Sequence, residues 1–193
     1  MKRFFIELRT AFLALCVLTL ICCGAYPVAV WALAQVLFPY QANGSLIVAE
    51  DGTIRGSELL AQSFSGQQYF HPRPSHAGHG YDGAGSGASN LGPTSRRLQE
   101  LIQERLQAYR QENGLGEGEV VPADAVTASA SGLDPHISLA NAERQVPRVA
   151  LARKLTEREV RLCLERSIDF AGWRSLGEPV VNVMKVNLAL DLR

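Results

Sequence analysis

One short stretch holds His71, His76, His79 and Asp82, and imidazole with carboxylate is a ligand set that suits zinc. The same stretch is rich in glycine and proline, so organising it around an ion costs backbone entropy, and no pair of helical ligands supports it. Solvated loop histidines are the simpler reading. Ser129, Asp134 and His136 supply the residue types of a nucleophilic triad, yet Asp134 and His136 stand only two positions apart, which suits a proton relay poorly. Gly78-His79-Gly80-Tyr81-Asp82-Gly83 spells a dinucleotide-binding string but lacks the strand before it and the helix after it. No G-x-x-x-x-G-K-[ST] phosphate loop and no G-x-S-x-G elbow occurs, and Lys2, Lys154 and Lys185 are the only lysines. No residue is therefore expected to act in catalysis, to ligate a metal or to hold a cofactor. The alternative that keeps the histidines in play is a membrane-anchored envelope enzyme with a metal site in this His-rich loop.

Two polar strings call for another explanation. Ser86 to Thr94 and Val126 to Ser138 combine small hydroxyls with Asn, Asp and His. Such side chains hydrogen-bond nearby backbone and fix irregular loops, or they let a partner's backbone approach closely. Lys+Arg 19 against Asp+Glu 19 leaves no net charge, so no long basic surface exists to neutralise phosphates, and nucleic acid is excluded as a partner.

The elements that must position these strings begin in a membrane. From Ala11 to Phe38 no side chain is charged. A helix of about 28 residues rising ~1.5 Å each covers a ~30 Å hydrocarbon core, with room for tilt or for a kink at Pro27. A cleaved signal peptide has an apolar core of only about 7–15 residues, and a lipoprotein signal needs a small residue where Ile21 or Cys22 stands. Lys2, Arg3 and Arg9 precede the run, whereas Glu50 and Asp51 are the first charges after it. The expected plan is residues 1–10 in the cytoplasm, a transmembrane helix over 11–38, and one extracytoplasmic domain over 39–193, on the outer face of the cell inner membrane. Membrane lipid is then a partner. Gly24 and Ala25 give the helix a small surface for close packing against another. Cys163 is the one cysteine outside the apolar run, so no disulfide within the outer domain is possible.

Ser45–Ala49 and Thr53–Arg55 around Glu50-Asp51-Gly52 predict a hairpin, followed by a short helix over Ser57–Ala61. Gln67–Gly92 predicts a long loop. Ser95–Glu112 has 3–4 apolar spacing, Pro93 just before it and Gly114 as a stop. Helices are predicted from Ser138 to Leu155, interrupted or bent at Pro147, and from Thr156 with Glu159 completing a capping box. Val180–Leu190 is rich in β-formers and reads as a strand with Val180, Met184, Val186, Leu188 and Leu190 mostly on one face. Strands at both ends of the domain with helices between them make an α+β fold, a sheet packed with helices.

Taken in order, Gln41-Ala42-Asn43-Gly44-Ser45-Leu46-Ile47, Tyr69-Phe70-His71-Pro72-Arg73-Pro74-Ser75, Gly87-Ala88-Ser89-Asn90-Leu91-Gly92-Pro93-Thr94, Val126 to Asp134, Gln145 to Ala150, and Val181-Asn182-Val183 to Asn187-Leu188-Ala189-Leu190-Asp191 resemble one family over essentially the full chain. It is that of the C subunits of Kdp-type potassium-transporting P-type ATPases. Gly87-Ala88 departs mildly from the Gly-Gly expected there. The resemblance implies an accessory subunit without chemistry of its own, which fits the absence of a D-K-T-G phosphorylation sequence. It further implies three partners: a potassium-conducting subunit, an ATP-hydrolysing P-type subunit and a small single-helix subunit. The implied roles are assembly, covering the potassium-conducting subunit and promoting ATP binding by the hydrolysing one. ATP is implied by resemblance only. Carried onto this chain, the partner or structural motif residues are Asn43, Gly44, Arg73, Ser89, Asn90, Thr127, Ser129, Asp134, His136, Asn182 and Asn187, and the membrane-packing residues are Gly24, Ala25 and Pro27.

Overall fold

The computed structural model describes residues 1–49, 51–170 and 177–192, so Glu50 of the expected turn lies outside the described residues. The chain divides into two compact units, Met1–Leu46 and Ile47–Arg193.

In the first unit, α1 (Lys2–Thr19) passes through a π-helical turn (Leu20–Ala25) into α2 (Tyr26–Leu37). The result is one apolar helix of 36 residues, Lys2–Leu37, with no buried residue and long enough to cross a membrane. It begins at Lys2, ahead of the expected Ala11. Loss of charge marks where a helix can enter hydrocarbon, and Lys, Arg, Glu and Leu before that point are all good helix formers. Arg3 and Glu7 also pair across one turn at 3.5 Å. Pro27 has no N–H, and the distortion it forces lies just before it: the Tyr26 N–H donates to the Ile21 carbonyl, five residues back. Gly24 and Ala25 sit in that π turn. After a break at Phe38, the short α3 (Pro39–Ala42) is closed by Asn43, whose Nδ2 donates to the Pro39 carbonyl at 2.6 Å and to Gln35 Oε1 at 3.2 Å. Gly44 (φ +88°) and Ser45 (φ +48°) then turn the chain, and the Ser45 N–H reaches the Tyr40 carbonyl.

The second unit opens with the hairpin of β1 (Leu46–Val48) and β2 (Ile54–Ser57). Asp51 Oδ1 accepts from the Thr53 N–H and hydroxyl, and Gly52 supplies φ +78°. The helix expected over Ser57–Ala61 does not form. A single turn pays the full nucleation cost for little return. Instead Ser57 ends β2, its hydroxyl accepts from the Leu59 N–H, and the Ala61 N–H donates to the distant Leu133 carbonyl at 2.9 Å. The hairpin remains a separate two-stranded sheet, so the expected joining of strands from both ends of the domain is not observed.

The central sheet is β3 (His136–Ser138), β5 (Pro179–Asn182) and β4 (Ile168–Phe170), antiparallel, with β5 in the middle. Ile137 and Ile168 both stand opposite Val181. Pro179 takes the first position of β5, where a missing donor is tolerated. Around the sheet pack α6 (Leu139–Arg153), α7 (Glu157–Arg166) and α8 (Val183–Asp191). Their core includes Phe70, Val146, Val149, Val160, Leu164 and Val186, each at most 1 % exposed. A smaller cluster joins α4 (Arg96–Asn113) and α5 (Ala123–Val126) through Tyr109, Leu106 and Val126. The unit is α+β, as expected.

Caps behave as the sequence predicts. Ser95 starts α4 and Gly114 ends it in the left-handed region at φ +65°. Thr156 and Glu159 form the reciprocal capping box of α7. Pro147 lies inside α6 without interrupting it, on the exposed side.

The tail departs from expectation. Only Pro179–Asn182 is strand, and Val183–Asp191 is helix. Asn182 decides the switch: its Oδ1 accepts from the Lys185 N–H as an N-cap while its own main chain still pairs in the sheet. Beyond it Val183, Met184, Val186, Asn187 and Leu190 are the buried positions, a 3–4 spacing that local β-propensity conceals.

No strand or helix occurs from residue 58 to 95, yet Phe70 within that segment is fully buried. Its N–H donates to Asn187 Oδ1 at 2.8 Å, and Asn187 Nδ2 donates back to its carbonyl at 2.9 Å. Replacing Asn187 with Ala strands both backbone groups, and an expected cost on the order of 2–4 kcal/mol follows from two unpaired buried partners. Urea unfolding of the full chain in mild detergent checks this; a loss under about 1 kcal/mol counts against the clamp.

Candidate functional site

Three irregular segments meet at one face of the second unit. The Ser75 hydroxyl donates to the Gly132 carbonyl at 2.6 Å and accepts from the N–H groups of Ala77 and Tyr81. The Gly87 N–H and the Ser86 hydroxyl both donate to the Ser131 carbonyl, at 2.9 and 3.0 Å. Gly132 sits where the three segments cross, at φ +69°, and a Cβ there would stand 2.6 Å from the Ala77 nitrogen and 2.8 Å from the Gly87 carbonyl oxygen. Only glycine fits. Beside this junction opens a groove of about 610 Å³ lined by Leu59, Leu60, Arg73, Ser129, Leu133 and Asp134 among others. Leu59 is 60 % exposed.

A row of alternating basic and acidic side chains runs from the groove. Arg73 Nη1 donates to Asp134 Oδ2 at 3.1 Å, and Asp134 Oδ1 lies 3.5 Å from His136 Nδ1 and accepts from the His136 N–H at 3.0 Å. His136 Nε2 is 3.7 Å from Asp169 Oδ2, which accepts from Lys185 Nζ at 3.1 Å; Lys185 also pairs with Glu58 at 3.2 Å. Burial pushes the Asp134 carboxyl up, but His136 and Arg73 together outweigh it and hold Asp134 below its ordinary value. Burial likewise depresses Lys185, and Asp169 with Glu58 reverse that into a net rise. Arg73 Nε is buried without a hydrogen-bond partner among the described residues.

Of the residues singled out from sequence, Arg73, Ser129 and Asp134 line the groove, and His136 adjoins it through Asp134. Asn182 Nδ2 ties the sheet to the Glu58 carbonyl, on the same side. Thr127 caps α5 by donating to the Ala123 carbonyl. Asn90 is exposed at φ +52° and makes no side-chain hydrogen bond among the described residues, so it serves a backbone conformation that Asn tolerates. Ser89 is not drawn into the junction's hydrogen bonds, and Asn43 and Gly44 belong to the first unit. No triad forms: His136 is bracketed by two carboxylates, while Ser129 Oγ lies against Ser131 Oγ at 3.5 Å. The His-rich loop does not converge either. His71 pairs with Glu112, His76 with Arg105, and Asp82 accepts from the Ala84 N–H. Among the described residues no group of three or more metal-ligating side chains exists.

Sequence reasoning passed over the polar side chains of α6. Asn141 and Gln145 are each 1 % exposed and Arg148 is 7 %. Gln145 Oε1 accepts from the His71 N–H at 2.8 Å and its Nε2 donates to the His71 carbonyl at 3.1 Å. Arg148 donates to Asn113 Oδ1, Gln145 Oε1 and the carbonyls of Gln67 and Tyr69. Burial lowers its pKa from the ordinary guanidinium value, against the pull of Glu112 and Tyr109. Asp124 gathers Ser138 and Asn141, and Asn141 Oδ1 accepts from the Tyr109 hydroxyl at 2.8 Å. The signal was the spacing: positions 141, 145 and 148 fall on the same helix face as the apolar Ala142, Val146 and Val149.

A family model described as KdpC, the c chain of K+-transporting ATPase, matches residues 8–192. A protein of Rhodospirillum rubrum named potassium-transporting ATPase KdpC subunit is 54 % identical over 190 residues, covering 96 % of this chain and 95 % of that one. Proteins of the same name from Mycobacterium bovis (49 % over 185 residues, 96 % and 97 % covered) and Myxococcus xanthus (48 % over 193 residues, 100 % and 89 % covered) are similar over nearly their full lengths.

The Asp134 contacts make a pH-dependent contribution. A carboxyl held low in the folded state adds stability above its unfolded value, about 3.9, and that stability is lost as pH falls through the folded value. Asp134→Asn is therefore expected to cost about 1 kcal/mol near pH 7, a modest figure because the side chain is a third exposed. The gap from the parent chain should close below about pH 4. Thermal unfolding at several pH values tests this, and a gap undiminished at pH 3 refutes it.

Proposed function

This chain belongs to the KdpC family, the c chains of K+-transporting ATPases, and is a subunit of a potassium-transporting ATPase complex and not its catalytic subunit; from that membership we propose that it holds the complex together and covers the potassium-conducting subunit from outside the cell. The observation that carries this reading is the match over residues 8–192, which takes in both the apolar helix and the folded unit. In the proposed arrangement the N-terminus is cytoplasmic, the helix anchors in the inner membrane against the potassium-conducting subunit, and residues 39–193 lie in the periplasm. The cations Lys2, Arg3 and Arg9 ahead of the helix support that orientation. The groove supports a docking role for the outer unit: exposed Leu59 and Leu60 offer apolar area beside the Arg73–Asp134 pair.

Affinity purification of the tagged full chain from mild detergent should recover the potassium-conducting and ATP-hydrolysing subunits together. Gly24→Leu with Ala25→Leu, which fill the small surface at the π turn, should reduce that recovery several-fold while leaving the folded unit intact. Recovery of no other subunit by the parent chain defeats the proposal.

An effect on ATP must then be indirect. The chain has no phosphate loop, and its proposed orientation sends the folded unit to the side of the membrane where ATP is scarce. It need only contact one conformation of the complex better than another for the hydrolysing subunit to bind ATP more tightly. Calorimetry of ATP against the purified full chain at physiological salt should show no saturable binding; a low-micromolar dissociation constant would mean the opposite.

A further inference from the structure

His71 stands where the long irregular segment enters the core, and oxygen meets its ring at both ends. Nδ1 lies 2.8 Å from Glu112 Oε1 at the end of α4, and Nε2 lies 3.0 Å from the Gly66 carbonyl oxygen. Neither a carboxylate nor a carbonyl carries a hydrogen to give. A neutral imidazole has one N–H and one lone pair, so it satisfies one oxygen and turns its lone pair on the other. Only the doubly protonated ring donates to both.

Glu112 does not resolve the conflict by taking the proton itself: the hydrogen bond from His71 comes first among the causes that hold its carboxyl below the ordinary range, ahead of the opposing effect of burial. The other charged or titratable groups around the ring are Tyr109 and Arg105 from α4, Arg148 from α6 and Tyr81 from the loop. Arg148 gives its donors to the carbonyls of Gln67 and Tyr69 and to Gln145 and Asn113, and offers no acceptor to the imidazole. A cavity of about 220 Å³ lined by His71, Glu112, Tyr81, Arg105 and Tyr109 gives solvent a route for the proton.

We infer that His71 is a proton-operated latch: its imidazolium fastens Gly66 to the end of α4, and loss of one proton releases the turn at Gly66 while the rest of the segment stays in place. The release is local because main-chain groups of Phe70 and His71 remain gripped by Asn187 and Gln145. The turn itself is closed by the Tyr69 N–H on the same Gly66 carbonyl, at 3.0 Å, so that amide reports the state of the latch. Upstream, residues 62–65 are the only chain between Gly66 and Ala61, which is pinned to Leu133 on the groove wall. Latch and groove rim are thus joined by one short piece of backbone. This inference does not depend on the role proposed for the chain in a transport complex.

Hydrogen exchange of the full chain in mild detergent, followed on a peptide covering residues 62–70 and corrected for intrinsic rate, tests it. Protection in the parent chain should fall about tenfold between pH 6 and pH 8, the scale of one charge-assisted hydrogen bond. His71→Gln should abolish the difference, and a peptide from α7 should show none in either protein. Equal protection of the parent chain at both pH values, or an unchanged pH response in His71→Gln, overturns the latch. Should that variant fail to fold, nitrogen NMR of the parent chain decides: both ring nitrogens of His71 protonated at pH 6 supports the inference, and a neutral ring at pH 6 overturns it.

Discussion

The folded unit depends on two side-chain amides that grip two successive residues of an otherwise irregular segment. Asn187, from α8, makes the paired donor and acceptor bonds of a β-ladder with Phe70, and Gln145, from α6, does the same with His71. Adjacent residues of an extended chain present their main-chain groups in opposite directions, so two helices on opposite sides are what such a strip requires. The strip thus replaces a strand that has no neighbouring strand. Without it the Phe70 ring, fully buried in the main core, would carry unpaired backbone groups into that core with it.

The Gln145 amide is itself held. Gln145 Nε2 reaches Asn141 Oδ1, Asn141 takes the Tyr109 hydroxyl, and Asp124 ties Asn141 to the N-cap Ser138. Arg148 closes the set from the same face of α6 with carbonyls and amides in place of a carboxylate. A buried charge without a counterion is costly unless its donors are nearly all satisfied, which is the case here. The same charge keeps Gln67 and Tyr69 in place beside His71, so a network that adds little net stability by itself contributes a single arrangement of the loop.

What the sequence revealed of this follows from how local each signal was. The capping box at Thr156 and Glu159, the stop at Gly114 and the Asp51-Gly52 turn depend on neighbours within four residues, and all form. The helix from Lys2 was legible as apolar but not in its start, because charge reports the solvent boundary and not the backbone. The tail misled: Val180–Leu190 has β-formers throughout, and only Asn182 acting as a cap, followed by burial at 183, 184, 186, 187 and 190, reveals the helix. The site was legible by type more than by partner. Asp134 stood out as a polar residue in an irregular string and Arg73 only through the family resemblance, but that they pair with one another across 61 positions is a fact of topology. Asn141, Gln145 and Arg148 were hidden because polar residues on a helix ordinarily face water.

In the proposed accessory role what counts is the surface the chain presents, and this fold builds one from backbone that helices and strands have not used up. In regular elements nearly every N–H and C=O is spent internally. The segments around Gly132 are fixed instead by hydroxyls of Ser75, Ser86 and Ser131 and by close approach at glycine, which costs few main-chain groups and leaves others at the rim. The groove beside them therefore combines a rigid frame with exposed leucine and the Arg73–Asp134 pair. Rigidity matters as much as composition there, since a loop ordered only on docking would give up part of the interaction energy to its own ordering. The buried amides of α6 and α8 supply that order in advance, from the far side of the same loop.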